Sequence, residues 1–166
     1  AQELPYQEPP KEIKEIALAK LSPIIDFSED YKWMLQLERA PYYSVSELAQ
    51  PELRLAGIRI NPETFSESRQ RGYVGVTLVN METKLERVIE GFPDQSIILN
   101  INWSPQSDKI IFFVKEGDGV YLYQCITTES KVVKLSNRKI NACFGTSLFW
   151  INNNEILILA IPENIG

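Results

Sequence analysis

The chain has 166 residues, of which 44% are hydrophobic and 23% charged, a composition ordinary for one globular domain with a sizeable core. Its formal net charge of −5 argues against a nucleic-acid binder, which would carry a basic stripe. The longest apolar runs, such as FGTSLFWI and EILILAI, are too short to cross a bilayer, so no membrane span is predicted.

Residues 1–22 are predicted to form an N-terminal arm and a short helix. The first part is polar and rich in proline, and Ile13, Ile16 and Ala17 then follow at helical spacing behind Pro10. We expect this helix to pack against a neighbouring element. The N-terminal stretch AQELPYQEPP contains no Lys or Arg followed by an apolar stretch, so no signal peptide is expected in this sequence. A start without Met is compatible with a mature protein or with an arbitrary boundary.

Residues 23–92 are predicted to form a first four-stranded unit. IIDFSEDYKWMLQLER gives a strand, a polar turn and a second strand, and GYVGVTLVN and LERVIEG give another pair with a turn near residues 81–84. Between the two pairs lies a long charged insertion, residues 40–72. Such a long segment inside a repeat unit is a candidate for function.

Residues 93–137 are predicted to form a second unit. In SIILNINW one face holds Ile97, Leu99, Ile101 and Trp103, and the other holds Ile98, Asn100 and Asn102. KIIFFV is apolar on both faces, as expected of a strand buried between two layers. EGDGVYLYQCI supplies an Asp-Gly hairpin turn and a third strand, and KVVKLS is a short fourth strand whose lysines suit an outer edge.

An aromatic residue, a polar turn and an apolar strand recur three times, beginning at Phe27, Trp103 and Trp150. The distance from the second aromatic to the third matches a propeller blade of roughly 40 to 50 residues. The first distance is longer, and its excess lies in the insertion. The sequence therefore predicts an all-β fold: a partial β-propeller of four-stranded antiparallel blades, two blades plus the start of a third (residues 138–166), with a short N-terminal helix. A meander in a sandwich or barrel is the alternative.

Three stretches of the sequence resemble a known family. WSPQSDKIIFF is similar to the W-S-P-D-G-x-x-I-A-F turn in propellers of prolyl oligopeptidase-type serine peptidases and of TolB-like proteins. ELAQPELRLAGIRINP and INACFGTSLFWINNNEILILAIPE resemble the N-terminal part of the glutamyl endopeptidase branch of the prolyl oligopeptidase family. One departure stands out, because Gln106 and Ser107 replace the usual Asp-Gly, so this turn is expected to take another shape.

The resemblance implies a role within a larger protein. Such enzymes are secreted bacterial or plastid proteins that join a propeller to a C-terminal α/β-hydrolase domain carrying Ser, Asp and His. This chain would be the N-terminal propeller portion, non-catalytic by itself, which gates and positions peptide substrate for that domain. The implied location is periplasmic or secreted, after signal removal. The alternatives are a non-enzymatic TolB-like propeller and a small β module, each binding a protein partner.

The residues themselves offer no catalytic machinery. The chain has no His, so a Ser-His-Asp triad is impossible, and GTSLF lacks the closing Gly of a nucleophile elbow. EGDGVY contains Glu116 and Asp118 but too few oxygen ligands for a calcium loop. We therefore predict no catalytic residue, no metal site and no cofactor.

The insertion supplies the candidate substrate-binding residues, Arg59, Arg54, Tyr43 and Asn61. If the parent protein cleaves after acidic residues, its pocket needs positive charge, and arginine can hold a carboxylate in bidentate fashion. The alternative is that both arginines are solvated or pair with nearby Glu52 and Glu63.

The insertion also carries local structural signals. Ser44 and Glu47 fit a capping box at the start of a short helix. Four apolar residues next to the arginines are predicted to anchor the segment: Leu53, Leu55, Ile58 and Ile60.

Two further expectations concern packing. Cys125 and Cys143 lie in strand-like apolar surroundings and are predicted to be buried free thiols, with a disulfide as the alternative. A partial propeller leaves strand edges open. We therefore expect the chain to pair these edges with a second copy or to close them with its N-terminal arm. A monomer by sedimentation with rapid amide exchange along EILILA would contradict both possibilities.

Overall fold

The computed structural model of the chain describes residues 8–40, 42–145 and 147–163. Predictions for residues 1–7 and for a natural chain end at Gly166 lie outside this range. The described residues form two short helices and thirteen strands, and every strand pair is antiparallel. The elements are α1 (Lys11–Ala17), β1 (Ile24–Phe27), β2 (Trp33–Arg39), α2 (Val45–Leu48), β3 (Leu53–Leu55), β4 (Ile58–Asn61), β5 (Ser66–Glu67), β6 (Tyr73–Asn80), β7 (Glu86–Val88), β8 (Ile97–Trp103), β9 (Lys109–Glu116), β10 (Gly119–Ile126), β11 (Val132–Lys134), β12 (Leu148–Asn152) and β13 (Glu155–Ile158).

The predicted N-terminal helix is present as α1, with Pro10 at its N-cap. The packing expected of it is not found. None of its residues is buried, and Ile13 and Ile16 are 55% and 74% exposed. A hydrogen bond of 2.7 Å from the Tyr42 hydroxyl to the carbonyl of Ala17 ties the end of α1 to the insertion. The apolar spacing thus formed a helix without giving it a buried face.

The strands form one eight-stranded sheet and two smaller sheets. The large sheet has two four-stranded parts joined by the pairing of Tyr73 with Ile98; we call the part β1-β2-β6-β7 the first sheet and the part β8-β9-β10-β11 the second sheet. The hairpin β12–β13 is the third sheet, and β3-β4-β5 form a small separate sheet inside the insertion. The mostly β, antiparallel fold predicted from the sequence is confirmed, as is the turn between β6 and β7.

Two apolar cores lie between these sheets. The first core fills the space between the first and second sheets, with Leu35, Leu78, Ile110 and Phe112 fully buried. The second core lies between the other face of the second sheet and β12–β13. As predicted, β9 is buried on both faces, because alternate residues from Ile110 onward enter the first core and the second core in turn.

β8 departs from the predicted alternation. The register shifts by one residue between Ile98 and Asn100, which leaves Leu99 as a β-bulge. The prediction placed Leu99 on one face with Ile101 and Trp103. Instead, Leu99 packs against the second core, whereas Ile101 and Trp103 pack against the first. A one-residue bulge reverses the faces of all later residues in a strand.

The β1–β2 and β8–β9 turns share one hydrogen-bond pattern. The Ser28 hydroxyl accepts from the Trp33 N–H at 3.0 Å, and the Ser104 hydroxyl accepts from the Lys109 N–H at the same distance. In return, the serine N–H groups donate to the carbonyls of Trp33 and Lys109 at 3.0 and 2.9 Å. The repeat found in the sequence therefore has a counterpart in backbone geometry.

The interiors of these two turns are alike. Three residues after each serine the backbone turns left-handed, with φ of 56° at Tyr31 and 57° at Ser107. Ser107, which stands where the resembling proteins have glycine, thus adopts the left-handed conformation that glycine favours.

The hairpin between β9 and β10 lies one residue earlier than predicted. Its two-residue loop is Gly117–Asp118 rather than Asp-Gly, and Gly119 is already the first residue of β10. Gly117 takes the positive φ, 37°, that such a tight loop requires.

Both cysteines are free thiols, as predicted, but the predicted burial is confirmed only for Cys125. Cys125 is buried in the first core, and Cys143 is half-buried. Burial raises the pKa of the Cys125 thiol to about 11, so at neutral pH it is protonated and acts as a small apolar side chain.

Candidate functional site

A cleft of about 1000 Å³ opens beside the neck of the insertion, where residues 42–44 leave the first sheet and residues 70–72 return to it. The connection between β7 and β8 and the end of β9 complete its lining. Val74, Ile89, Phe92 and Ile97 give it an apolar wall. Ligand sites in proteins typically measure roughly 300 to 1,000 Å³, so this cleft is large enough for a peptide segment.

Gly72 fixes the neck against the second sheet. A Cβ atom at this position would lie 2.3 Å from Cγ2 of Ile97 and 2.4 Å from the carbonyl oxygen of Ile98. Tyr73 follows at once and pairs with Ile98. The absence of a side chain at residue 72 therefore lets the returning chain touch β8, which sets the position of the cleft.

Arg71 and Tyr43 face each other across the neck. The guanidinium carbon of Arg71 lies 5.7 Å from the centroid of the Tyr43 ring, within the range of a cation–π contact. Both residues line the cleft. Arg71 is exposed, and within the described part of the chain no carboxylate forms an ion pair with it. Its guanidinium is therefore oriented by an aromatic ring while its N–H groups stay open to solvent.

A buried ion pair holds the insertion to the second sheet. Nζ of Lys115 lies 2.8 and 2.9 Å from the two carboxylate oxygens of Glu47, and both side chains are only 7% exposed. Ser44 caps α2 by accepting from the Glu47 N–H at 3.1 Å, so this half of the predicted capping box is confirmed. The other half is wrong, because the carboxylate bonds Lys115 instead of turning back to the cap.

The charges around the cleft are unevenly arranged. The lining contains two basic residues, Lys115 and Arg71. Glu47 neutralises Lys115, whereas no described carboxylate pairs with Arg71. Glu90 and Asp94, both exposed, line the same cleft from the β7–β8 connection. The cleft thus presents one positive group, two negative groups and an apolar wall.

Arg54 and Arg59 lie outside this cleft lining and gather around Glu52. Nε of Arg54 is 3.0 Å and a terminal nitrogen of Arg59 is 3.4 Å from one carboxylate oxygen of Glu52, and Nε of Arg69 is 3.5 Å from the other. The hydrogen bond from Arg54 lowers the pKa of Glu52 most; burial opposes it, and Ser68 and the other arginines support it. The alternative interpretation, pairing with Glu52, is thus what the geometry displays.

Asn61 is buried and serves the local fold. Its Oδ1 accepts from the N–H groups of Glu63 and Thr64 at 2.9 and 3.2 Å, and its Nδ2 donates to Gln50. These bonds close the turn after β4. Of the four candidate substrate-binding residues, the structure therefore brings Tyr43 to the cleft and leaves Arg54, Arg59 and Asn61 outside it.

The apolar anchors predicted in the insertion are only partly buried. Leu53 and Leu55 are 56% and 62% exposed, so the prediction is wrong for them, whereas Ile58 and Ile60 are half-buried. The insertion is held instead by the Glu47–Lys115 pair and by a hydrogen bond of 2.8 Å from the Ala142 N–H to the carbonyl of Phe65.

Without histidine the chain cannot assemble a Ser-His-Asp triad. Within residues 8–40, 42–145 and 147–163, no group of three Cys, Asp or Glu side chains could hold a metal ion. Sequence reasoning missed Arg71, because its neighbour Tyr43 lies 28 residues away and only the folded neck brings them together.

Comparison with known proteins gives two similar relatives. The chain is 30% identical over 97% of its length to a probable chloroplastic glutamyl endopeptidase of Oryza sativa subsp. japonica. It is 29% identical, again over 97% of its length, to the protein of the same description from Arabidopsis thaliana. The chain spans 18% of the length of each relative.

Other comparisons give no match. No family model matches the chain, and no solved structure matches it. No helix among the described residues is long and apolar enough to cross a membrane.

Proposed function

We infer that this chain is a non-catalytic portion of a larger peptidase, in which it positions peptide substrate for a hydrolase domain. The observation that carries the proposal is the similarity over 97% of this chain to two probable glutamyl endopeptidases that are more than five times as long, since the chain spans 18% of each. Both relatives are described as chloroplastic. The predicted periplasmic or secreted location of this chain stays a prediction.

We further infer that the fold is part of a β-propeller, with blades at residues 23–92 and 93–137 and a third beginning at 138. Face-to-face packing of successive four-stranded sheets and the repeated serine turn support this. The third sheet supports it too. Trp103 pairs with Ile110 as Trp150 pairs with Ile156, so Leu157 occupies the position of Ile111. Ile111 is 1% exposed beneath the third sheet, whereas Leu157 is 59% exposed, as expected if a further sheet covers it.

The cleft at the neck of the insertion is the part of the chain best suited to hold a peptide. It combines a large volume, an apolar wall and a cation that no described carboxylate neutralises. A role of Arg54, Arg59 and Asn61 in substrate binding remains a proposal with less support, since their polar groups are engaged within the insertion.

The test is made on the full-length natural gene product. Its intact mass and its cleavage of a Glu-containing peptide, with the matched Gln peptide as control, are measured together. We expect a product much longer than 166 residues that cleaves only the Glu peptide. A long product without peptidase activity would favour a non-enzymatic propeller, and a short inactive product would favour a small β module that binds a partner.

A further inference from the structure

We propose that α1 is a lid, which turns onto the cleft at the neck of the insertion and covers the apolar wall there. In the structure the lid is open, because none of the residues of α1 is buried. The closing movement concerns this chain alone. Its consequence, that α1 competes with a peptide for the cleft, rests on the proposed function.

The first argument is the place where α1 is attached. The Tyr42 hydroxyl, which belongs to the cleft lining, donates to the carbonyl of Ala17 at 2.7 Å. The residues that follow α1 are held at the end of β2, where the guanidinium of Arg39 donates two hydrogen bonds to the carbonyl of Ser22, at 2.9 and 3.2 Å. The C-terminal end of α1 therefore lies at the rim of the cleft.

The second argument is the reach of the helix. In the described part of the chain, the hydrogen bonds and ion pairs of residues 11–16 all stay within residues 8–19. Ile16 is next to the attached residue, and Ile13 lies about 6 Å from Ala17 along the helix axis. This length is comparable with the dimensions of a cleft of about 1000 Å³. A rotation of α1 about its attached end thus brings both isoleucines over the cleft.

The third argument is that both surfaces are apolar and uncovered. Ile13 and Ile16 are 55% and 74% exposed and lie three residues apart, on one face of the helix. In the cleft lining, Val74 and Val88 are 52% and 61% exposed. Amphipathic helices are stabilised by burying their apolar face. Because α1 is already attached at the rim, the contact is intramolecular and needs few apolar groups to form.

The fourth argument is charge. Two lysines and two glutamates occur in KEIKEIA, so α1 has no net charge. The cleft lining holds charges of both signs, with Arg71 on one side and the exposed carboxylates of Glu90 and Asp94 on the other. A strongly charged helix of either sign would meet like charge there, whereas a neutral helix meets no large repulsion.

Disulfide capture tests whether α1 reaches the cleft. Ile13→Cys is combined with Val88→Cys or, in a second chain, with Val74→Cys. Both chains also carry Cys143→Ser, and Cys125 is buried. Oxidised glutathione is added, and intramolecular crosslinks are measured by mass spectrometry. A disulfide forms only when the two Cα atoms come within about 7 Å of each other. We therefore expect at least one of the two pairs to crosslink.

The matched control is Ile13→Cys with Val133→Cys, also with Cys143→Ser. Val133 lies in β11, is 62% exposed and does not line the cleft. We expect the cleft pair to crosslink about tenfold faster than this control pair, because a lid raises the effective concentration of one thiol near the other. Cooperative thermal unfolding verifies that each variant is folded.

Nile red, a neutral dye that fluoresces in apolar surroundings, tests whether α1 covers the cleft. The lid variant Ile13→Ser/Ile16→Ser should bind about threefold more dye than the unchanged chain, because a closed lid lowers the fraction of chains that can bind. The control Leu53→Ser/Leu55→Ser removes two similarly exposed residues outside the cleft lining and should bind no more dye. Adding Val88→Asp to the lid variant should abolish the gain.

Two results would overturn the inference: crosslinking of both cleft pairs no faster than the control pair, or a lid variant that binds no more dye than the unchanged chain. The proposed function fails separately. If a cleft pair crosslinks but the natural gene product has no peptidase activity, the lid stands and the peptidase role does not. If the gene product is an active peptidase and neither pair crosslinks, only the inference about α1 is wrong.

Discussion

Replacing Gly72 by alanine should cost the chain about 3 kcal/mol of unfolding free energy, at the upper end of what overpacking usually costs. The added Cβ would lie 2.4 Å from the carbonyl oxygen of Ile98 and 2.3 Å from Cγ2 of Ile97. The methyl group of Ile97 can rotate away, but the carbonyl cannot. Ile98 is 2% exposed in the first core and is paired with Val114 in β9.

The strain would fall on the junction between the two large sheets. Tyr73, the next residue, makes the pairing with Ile98 that joins them. Separating the chain from β8 at this point breaks that pairing and opens the first core beneath it. Urea unfolding measures the loss, and an unchanged denaturant slope verifies that the unfolded surface is the same.

Gly57→Ala is the matched control for Gly72→Ala. Gly57 lies at the tip of the β3–β4 hairpin with φ of +88°, and a Cβ added there would meet no atom within 4 Å beyond its chain neighbours. Only backbone strain of about 1 kcal/mol is expected at this position. Gly72, unlike Gly57, has no left-handed φ, so its loss should come from the close approach to Ile98. Equal losses for the two variants would contradict that prediction.

Much of the β architecture could be predicted because strands and turns depend on local sequence patterns. Alternation placed the strands, and the apolar run KIIFFV identified a strand buried on both faces. The bulge at Leu99 could not be predicted, since three consecutive apolar residues, Ile97, Ile98 and Leu99, are compatible with either register. Which face each residue takes is decided by the two cores together.

The candidate site was harder to predict for a related reason. The composition of the insertion suggested arginines as ligands, but a nearby carboxylate, Glu52, occupies Arg54 and Arg59. The cleft depends on contacts between segments far apart in sequence, such as Arg71 with Tyr43 and Lys115 with Glu47. These contacts cannot be inferred from the spacing of residues along the chain.

Removing one partner of the buried Glu47–Lys115 ion pair should lower the unfolding free energy strongly, whereas replacing both partners by apolar residues should lower it little. Lys115→Met or Glu47→Leu should each cost about 3–5 kcal/mol of unfolding free energy, because the remaining charge is left without a partner in a site that is 7% exposed. The double variant Glu47→Leu/Lys115→Met should recover most of that loss, since neither charge then has to be desolvated. Urea unfolding of the four chains gives the coupling energy directly.

Lys20→Gln is the control, because Lys20 forms an equally short ion pair with Glu38, at 2.7 Å, but the two side chains are 84% and 45% exposed. That variant should lose less than about 1 kcal/mol of unfolding free energy. If the double variant loses as much unfolding free energy as the two single variants together, the ion-pair account is contradicted.

Amide exchange of residues 44–48 and 53–68 in the single variants shows whether breaking the buried pair loosens only the insertion or destabilises the whole chain. If exchange there rises while global unfolding is unchanged, the pair only fastens the insertion to β9. We expect both to change together, because Lys115 lies in a strand whose other residues fill the two cores. The insertion and the sheets then unfold as one unit. In that case the neck that holds Arg71 against Tyr43 is as stable as the sheets themselves.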